Sequence, residues 1–323
     1  MGFNIVLLFA GLFVLILGGD FLVKGSSQIA LRLHISPLVV GLTIVAFGTS
    51  SPELLVSINA ALSGSPDLTM GNVIGSNICN LALVLGVTAV IRPLRVNSDS
   101  IKIDWPMTMG SSLLLYFLVR EGLVNSYEGV LFIVLLAAYT IFVIRKSRRE
   151  NRLANYATPK ERKVSSKSWK PLARDIGFIF IGCLGLFFGS DWFVEGAKQL
   201  AIHFGVSERV VGITVLALGT SLPELVTASI ASFKNQTDLA VGNLMGSNIF
   251  NILSILGITS LIKEIEVNDI ILNIDMLWML GITLLILPMM MHKKEVGRYE
   301  GLVLLLIYGY YTYKVLSNSP SVF

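Results

Sequence analysis

Ten apolar stretches set the terms on which this chain folds. They run over 1–19, 37–62, 70–91, 105–120, 126–144, 175–198, 208–233, 241–262, 276–291 and 301–316. Most approach the ~20 residues that cross a ~30 Å hydrocarbon core. Within such a core no water satisfies a backbone N–H or C=O, so each stretch must close its hydrogen bonds internally, as an α-helix. Composition agrees: 54% of the 323 residues are hydrophobic and 14% charged, against about 25% charged in a soluble domain. That balance excludes an ordinary soluble protein, and disorder as well. The first stretch has no basic start and no A-x-A cleavage site, so it reads as a retained span rather than a signal peptide. Cys79 and Cys183 lie in apolar surroundings without metal spacing and read as small buried side chains. His34, His203 and His292 fall near segment ends and supply no catalytic or zinc constellation.

The basic residues orient the spans. With the first residue outside the cytoplasm and the spans alternating, 20 of the 25 Lys and Arg fall on the cytoplasmic side; Arg120, Lys198, Arg209, Lys263 and Lys314 remain outside. This is the asymmetry of the positive-inside rule. It places both termini outside and the basic stretch 145–174 in the cytoplasm. That stretch reads as a topology determinant facing anionic lipid rather than as a nucleic-acid site.

The chain is also duplicated. Residues 18–86 align with 189–257 at a constant offset of 171 without a gap, with 30 identities in 69 positions. Five spans per half is an odd number, so the second copy is inverted. The expected fold is all-α and integral to the membrane: about ten transmembrane helices in two inverted-topology five-helix repeats, 1–144 and 175–323, joined by the 145–174 linker. Inverted repeats of this kind hold substrate near the membrane midplane.

Polar residues match best between the copies. The first half carries Gly48-Thr49-Ser50-Ser51-Pro52-Glu53-Leu54 and Gly71-Asn72-Val73-Ile74-Gly75-Ser76-Asn77-Ile78-Cys79-Asn80. The second carries Gly219-Thr220-Ser221-Leu222-Pro223-Glu224-Leu225 and Gly242-Asn243-Leu244-Met245-Gly246-Ser247-Asn248-Ile249-Phe250-Asn251. A carboxylate in mid-span costs at least ~2.5–3.5 kcal/mol, which makes Glu53 and Glu224 functional candidates. The preceding proline removes a backbone donor and breaks each helix, and freed carbonyls at this depth must face a cavity or a ligand. Ala46, Thr49 and Glu53 share a helix face, as do Asn72, Ser76 and Asn80. The result is an all-oxygen site suited to hard cations such as Ca²⁺, with no duplicated sulfur or imidazole for soft metals. Interhelical hydrogen bonding is the competing role for the Asn and Ser residues. Close helix packing is the plain role for Gly71, Gly75, Gly242 and Gly246, and capping or interface contact for Asp20 and Asp191.

With the motifs GTS-x-PE and GN-x-x-GSN-I-x-N present twice at equal spacing, the chain resembles a sodium/calcium exchanger of the cation/Ca²⁺ antiporter superfamily, of prokaryotic type. The resemblance covers both halves. It implies that Glu53 and Glu224 bind Ca²⁺ directly and that Thr49 and Thr220 offer oxygens to Ca²⁺ and Na⁺. Ala46 and Ala217 would supply carbonyls, and Ser76 and Ser247 hydroxyls, to flanking Na⁺ positions, with Asn80 and Asn251 lining the centre. Some members carry Asp at one of these last two positions; here both are Asn. The first span and its mate near 175–198 would slide as gates.

The function expected is secondary active exchange of Na⁺ for Ca²⁺ across the cytoplasmic membrane by alternating access. A Ca²⁺/H⁺ exchanger using the same Glu pair is the alternative. A channel fits an occluded site between broken helices less well. An enzyme is not expected, since no nucleophile, H-E-x-x-H or cofactor motif accompanies the carboxylates. Ca²⁺ and Na⁺ are the partners expected as substrates, with membrane lipid around them. No cofactor, nucleic acid or protein partner is expected.

Overall fold

The computed structural model describes residues 2–157, 169–204 and 217–318. Arg209, the start of the 208–233 stretch, and Lys160, Arg162, Lys163 and Lys167 of the linker lie outside the described residues. The first half begins with α1 (Gly2–Leu33). After it come α2 (Pro37–Thr49) and α3 (Ser51–Leu62), bent by 45° at Ser50. Pro52 in the first turn of α3 leaves the Gly48 carbonyl without its usual donor four residues on, which accounts for the break where the sequence places it. Then follow α4 (Pro66–Ile91), β1 (Leu94–Arg95), α5 (Trp105–Leu118), β2 (Leu123–Val124) and α6 (Ser126–Ala157).

The second half repeats the series with α7 (Trp169–His203), a single helical turn at Ala217–Gly219, α8 (Leu222–Phe233), α9 (Thr237–Ile262), β3 (Ile265–Glu266), α10 (Ile271–Met291), β4 (Glu295–Val296) and α11 (Arg298–Asn318).

Helices α1, α4, α6, α7, α9 and α10 are each long and apolar enough to cross a membrane, and the bent pair α2–α3 passes the same test when its two helices are counted as one span. The chain is therefore a helical, multi-pass membrane protein. The described parts of the other stretches are largely helical but less plainly spanning. The 14 residues of α5 rise only about 21 Å, lengthened by a π-helical turn at Ser100–Asp104. Helix α8 has 12 residues, and α11 carries Tyr, Lys and Asn among its apolar residues.

Two features are absent from the expectation. Two-residue strands pair antiparallel across the halves, β1 with β4 and β2 with β3. And π-helical turns open at Gly41–Val45, Cys79–Val84 and Asn251–Leu256.

Elements equivalent by the duplication meet one another. Helix α1 runs antiparallel to its mate α7, backbone against backbone. A Cβ on Gly18 would lie 2.7 Å from the Leu186 nitrogen, and one on Gly182 2.6 Å from the Leu22 nitrogen. Gly11, Gly18 and Gly25 face this seam at seven-residue spacing, as do Gly182, Gly189 and Gly196. Small residues permit such approach where no hydrophobic force drives helices together. An ion pair between half-buried Arg32 and buried Asp175, at 2.5 Å, ties one end of the seam. Asp20 bonds Lys24 and Lys234, an interface role. Gly242 and Gly246 pack on the α2 backbone, as close-packing residues should; no described atom lies within 4 Å of a Cβ on Gly71 or Gly75. Helices α4 and α9 are the most buried and carry the polar motifs to the centre.

Candidate ion-binding site

Glu53 and Glu224 sit in the first turns of α3 and α8, just past the two breaks, and both are fully buried. Ser50 and Ser221, the residues at the breaks, share one backbone conformation, with φ −88° and ψ 6° in the first and φ −90° and ψ 3° in the second. The same local sequence has folded the same way twice. Asn80 and Asn251 lie at the opening of the π-helical turns in α4 and α9. Such turns often mark functional sites, because they re-aim side chains inside a helix.

Most of the side-chain bonds in the site run from one half to the other; the Ser247–Glu224 bond lies within the second. Thr49 donates to Asn243 Oδ1 at 3.2 Å and lies 3.4 Å from the Ser247 hydroxyl. Ser50 donates to Glu224 Oε1 at 3.0 Å, and Ser247 to the same oxygen at 3.3 Å. Asn251 donates to Ser76 Oγ at 3.0 Å and to Asn77 Oδ1 at 3.2 Å. Within the first half, Asn72 donates to the Glu53 backbone carbonyl at 3.0 Å and to Ser57 Oγ at 2.9 Å, holding the start of α3 against α4.

Eight of the ten residues expected at the site, Ala46, Thr49, Glu53, Ser76, Asn80, Glu224, Ser247 and Asn251, are buried. The Ala46 carbonyl is engaged rather than free: it accepts the Ser50 amide at 2.9 Å and the Thr49 hydroxyl at 3.4 Å. Thr220 is half-buried in the turn after Ala217–Gly219, and the side chain of Ala217 lies outside the described residues.

The polar atoms without partners complete the picture. Among the described residues, both carboxylate oxygens of Glu53, Oε2 of Glu224, the Asn80 amide, Oδ1 of Asn251 and the Ser221 hydroxyl are buried and unbonded. The two carboxyls are near enough to interact electrostatically. Unpaired buried polar atoms are rare in proteins and call for a ligand, ion or water. Acidic and neutral oxygens gathered in this way present a site for hard cations. No group of three or more His, Cys, Asp or Glu is placed to hold a metal ion among the described residues, so neutral oxygens must complete the coordination of any ion held between the two carboxylates.

Sequence reasoning did not assign Ser50, Asn77 or Asn243 to the site, although all three bond to residues in it. Their signal was available: each is identical to its mate at Ser221, Asn248 or Asn72.

Comparison with known proteins agrees with this chemistry. The family model described as sodium/calcium exchanger protein matches residues 3–145 and 175–316. A putative antiporter, CaxA, of Alkalimonas amylolytica is 35% identical over 97% of this chain and 98% of its own length. The sodium/calcium exchanger MaX1 of Methanosarcina acetivorans is 32% identical, covering 94% of this chain and 96% of its own. Among solved structures, the sodium-calcium exchanger NCX_Mj superposes with a TM-score of 0.82 at 29% identity, over 98% of this chain and 99% of that one.

Proposed function

The chain belongs to the sodium/calcium exchanger family, and on that footing we propose that it is a secondary active antiporter in which Glu53 and Glu224 take Ca²⁺ and Na⁺ in alternation. The observation that carries the reading is the set of unpartnered acidic and amide oxygens where the two halves meet. A dehydrated cation supplies the positive charge that buried carboxylates otherwise lack. Thr49, Thr220, Ser76, Ser247, Asn80 and Asn251, with the carbonyls of Ala46 and Ala217, complete the oxygen set, the Ala46 carbonyl giving up its contact with the Thr49 hydroxyl to an ion.

The architecture proposed is ten spans in two inverted five-span repeats, 1–144 and 175–323, with 145–174 as the cytoplasmic linker and both termini outside the cytoplasmic membrane. Two observations support it. Equivalent helices α1 and α7 run antiparallel, and strand pairings are exchanged between the halves, β1 with β4 and β3 with β2. The α1–α7 pair is proposed to slide across the fixed core and open the site to each side in turn. The asymmetry of the site supports two such states: Glu224 is bonded by Ser50 and Ser247, whereas Glu53 accepts from neither Ser221 nor Ser76.

The test is uptake of radiolabelled Ca²⁺ into proteoliposomes under an outward Na⁺ gradient or a pH gradient, each imposed alone. Uptake should follow the Na⁺ gradient and be lost in Glu53→Gln and Glu224→Gln, with both variants still folded. Flux that follows only the pH gradient would replace Na⁺ by H⁺ as the coupling ion. Near-normal flux in either variant would remove that carboxylate from the site.

A further inference from the structure

A second candidate site lies away from the ion-binding residues. A groove of about 1130 Å³ runs between the outer face of the broken helix α2–α3, helix α6 and helix α7. Its floor is apolar, with Phe47 and Leu55 from the broken helix and Phe180, Cys183 and Phe187 from α7. On α6 the lining residues Ile133, Ala137, Ile141, Ile144 and Arg148 recur every three or four positions and form one face of the helix. That face is about 22 Å long, more than the ~15 Å half-thickness of a hydrocarbon core. It can therefore take the whole acyl chain of one leaflet.

The groove ends in positive charge. Arg148 lines it and also lines an adjoining hollow of about 480 Å³ with Arg145, Arg149 and Arg152. None of these four arginines forms an ion pair among the described residues, and the neighbouring Glu150 is taken by Lys146. Guanidinium groups match phosphate oxygens two at a time. The exposed apolar residues lining the groove, among them Ile141, Phe180 and Phe188, place it in the hydrocarbon belt, where a lipid chain is the available occupant.

We propose that this groove binds one anionic phospholipid, with an acyl chain along the α6 stripe and the phosphate on the Arg145–Arg152 cluster. The chain would lie behind Gly48 and Pro52, on the opposite side of the break from Glu53. The proposal rests on the membrane location of the protein and not on the assignment of the ion site.

Native mass spectrometry of the detergent-purified full chain, titrated with equimolar phosphatidylglycerol and phosphatidylcholine, tests it. Wild-type protein should retain one phosphatidylglycerol with a preference of at least about tenfold. Replacing Arg145, Arg148, Arg149 and Arg152 together by Gln should remove the preference. Ala137→Trp fills the groove from an exposed position and should lower retention of phosphatidylglycerol with the arginines intact. Chain-free glycerophosphoglycerol should not compete. Monodispersity and the thermal-unfolding midpoint of each variant report folding separately from lipid binding. A preference that survives the quadruple change, undiminished retention in Ala137→Trp, or full competition by the chain-free headgroup would each overturn the proposal.

Discussion

Glu53 and Glu224 occupy equivalent places in two copies of one motif, yet they differ in company. Glu224 Oε1 accepts hydrogen bonds from the hydroxyls of Ser50 and Ser247, while both oxygens of Glu53 are buried without a partner. A buried polar group left unbonded costs about 1–3 kcal/mol, and more when it is charged. The ion-free protein should therefore gain from Glu53→Gln, which removes the unpaired charge and keeps the shape. In thermal unfolding without divalent ions, that variant is expected to melt at or above the wild-type temperature. Added Ca²⁺ should raise the wild-type midpoint, because an ion that binds only the folded state at 100 times its Kd adds about 2.7 kcal/mol. It should leave the variant unmoved. An ion-free Glu53→Gln protein that melts well below wild type would show that the carboxylate is satisfied in a way the site geometry does not contain. At this scale the doubled GTS-x-PE and GN-x-x-GSN-I-x-N motifs made the carboxylates and amides legible. Which hydroxyl reaches which carboxylate was not legible, because Ser50 and Glu224 are 174 positions apart in the chain.

Among the elements, α1 and α7 depend most on the absence of side chains. Their glycines meet backbone atoms of the opposite helix at distances a Cβ cannot share. Gly18→Ala forces the helices apart, and overpacking of this kind typically costs about 1–3 kcal/mol. Gly177, on the same α7 helix, has nothing within 4 Å of an added Cβ, so Gly177→Ala should be neutral or slightly stabilising. Thermal unfolding of the two variants in detergent checks the contrast, and equal midpoints would mean that the seam is looser than described. Gly18→Ala should also slow Na⁺-driven Ca²⁺ uptake if the two helices slide along this seam. The break between α2 and α3 was readable from Pro52 and the residues before it. The π-helical turns at Cys79–Val84 and Asn251–Leu256 were not. A single widened turn depends on how a helix is held by its neighbours and has no composition of its own.

For the whole molecule the relevant quantity is charge moved across the membrane. In the proposed site two carboxylates balance one Ca²⁺, and Asn at both 80 and 251 adds no third charge to the motif residues. A Na⁺ load of more than two charges then leaves the site positive. Each elementary charge carried through 100 mV is worth about 2.3 kcal/mol. In inside-out vesicles, Na⁺-dependent Ca²⁺ uptake should quicken when a valinomycin-clamped K⁺ potential makes the lumen positive. Exchange indifferent to the clamp would mean charge-balanced turnover with two Na⁺ per Ca²⁺. The same vesicles test orientation, since protease should cut the 145–174 linker from the outside in inside-out vesicles and leave it intact in whole cells.

By itself the sequence determined the solvent in which this protein folds, the helical form of its apolar stretches, the duplication and the identity of the polar residues at its centre. These follow from local quantities: the length of an apolar run, the lack of a donor at Pro52, the spacing of Ala46, Thr49 and Glu53 on a helix face. Only the tertiary structure decided that Ser50 bonds Glu224 while Ser221 leaves Glu53 bare, that the strands pair across the halves, and that α6, α7 and the broken helix enclose a groove ending in arginine. Those outcomes depend on how two related but non-identical halves settle against each other. The energies that decide between such packings come from contacts between distant segments, which no local pattern encodes.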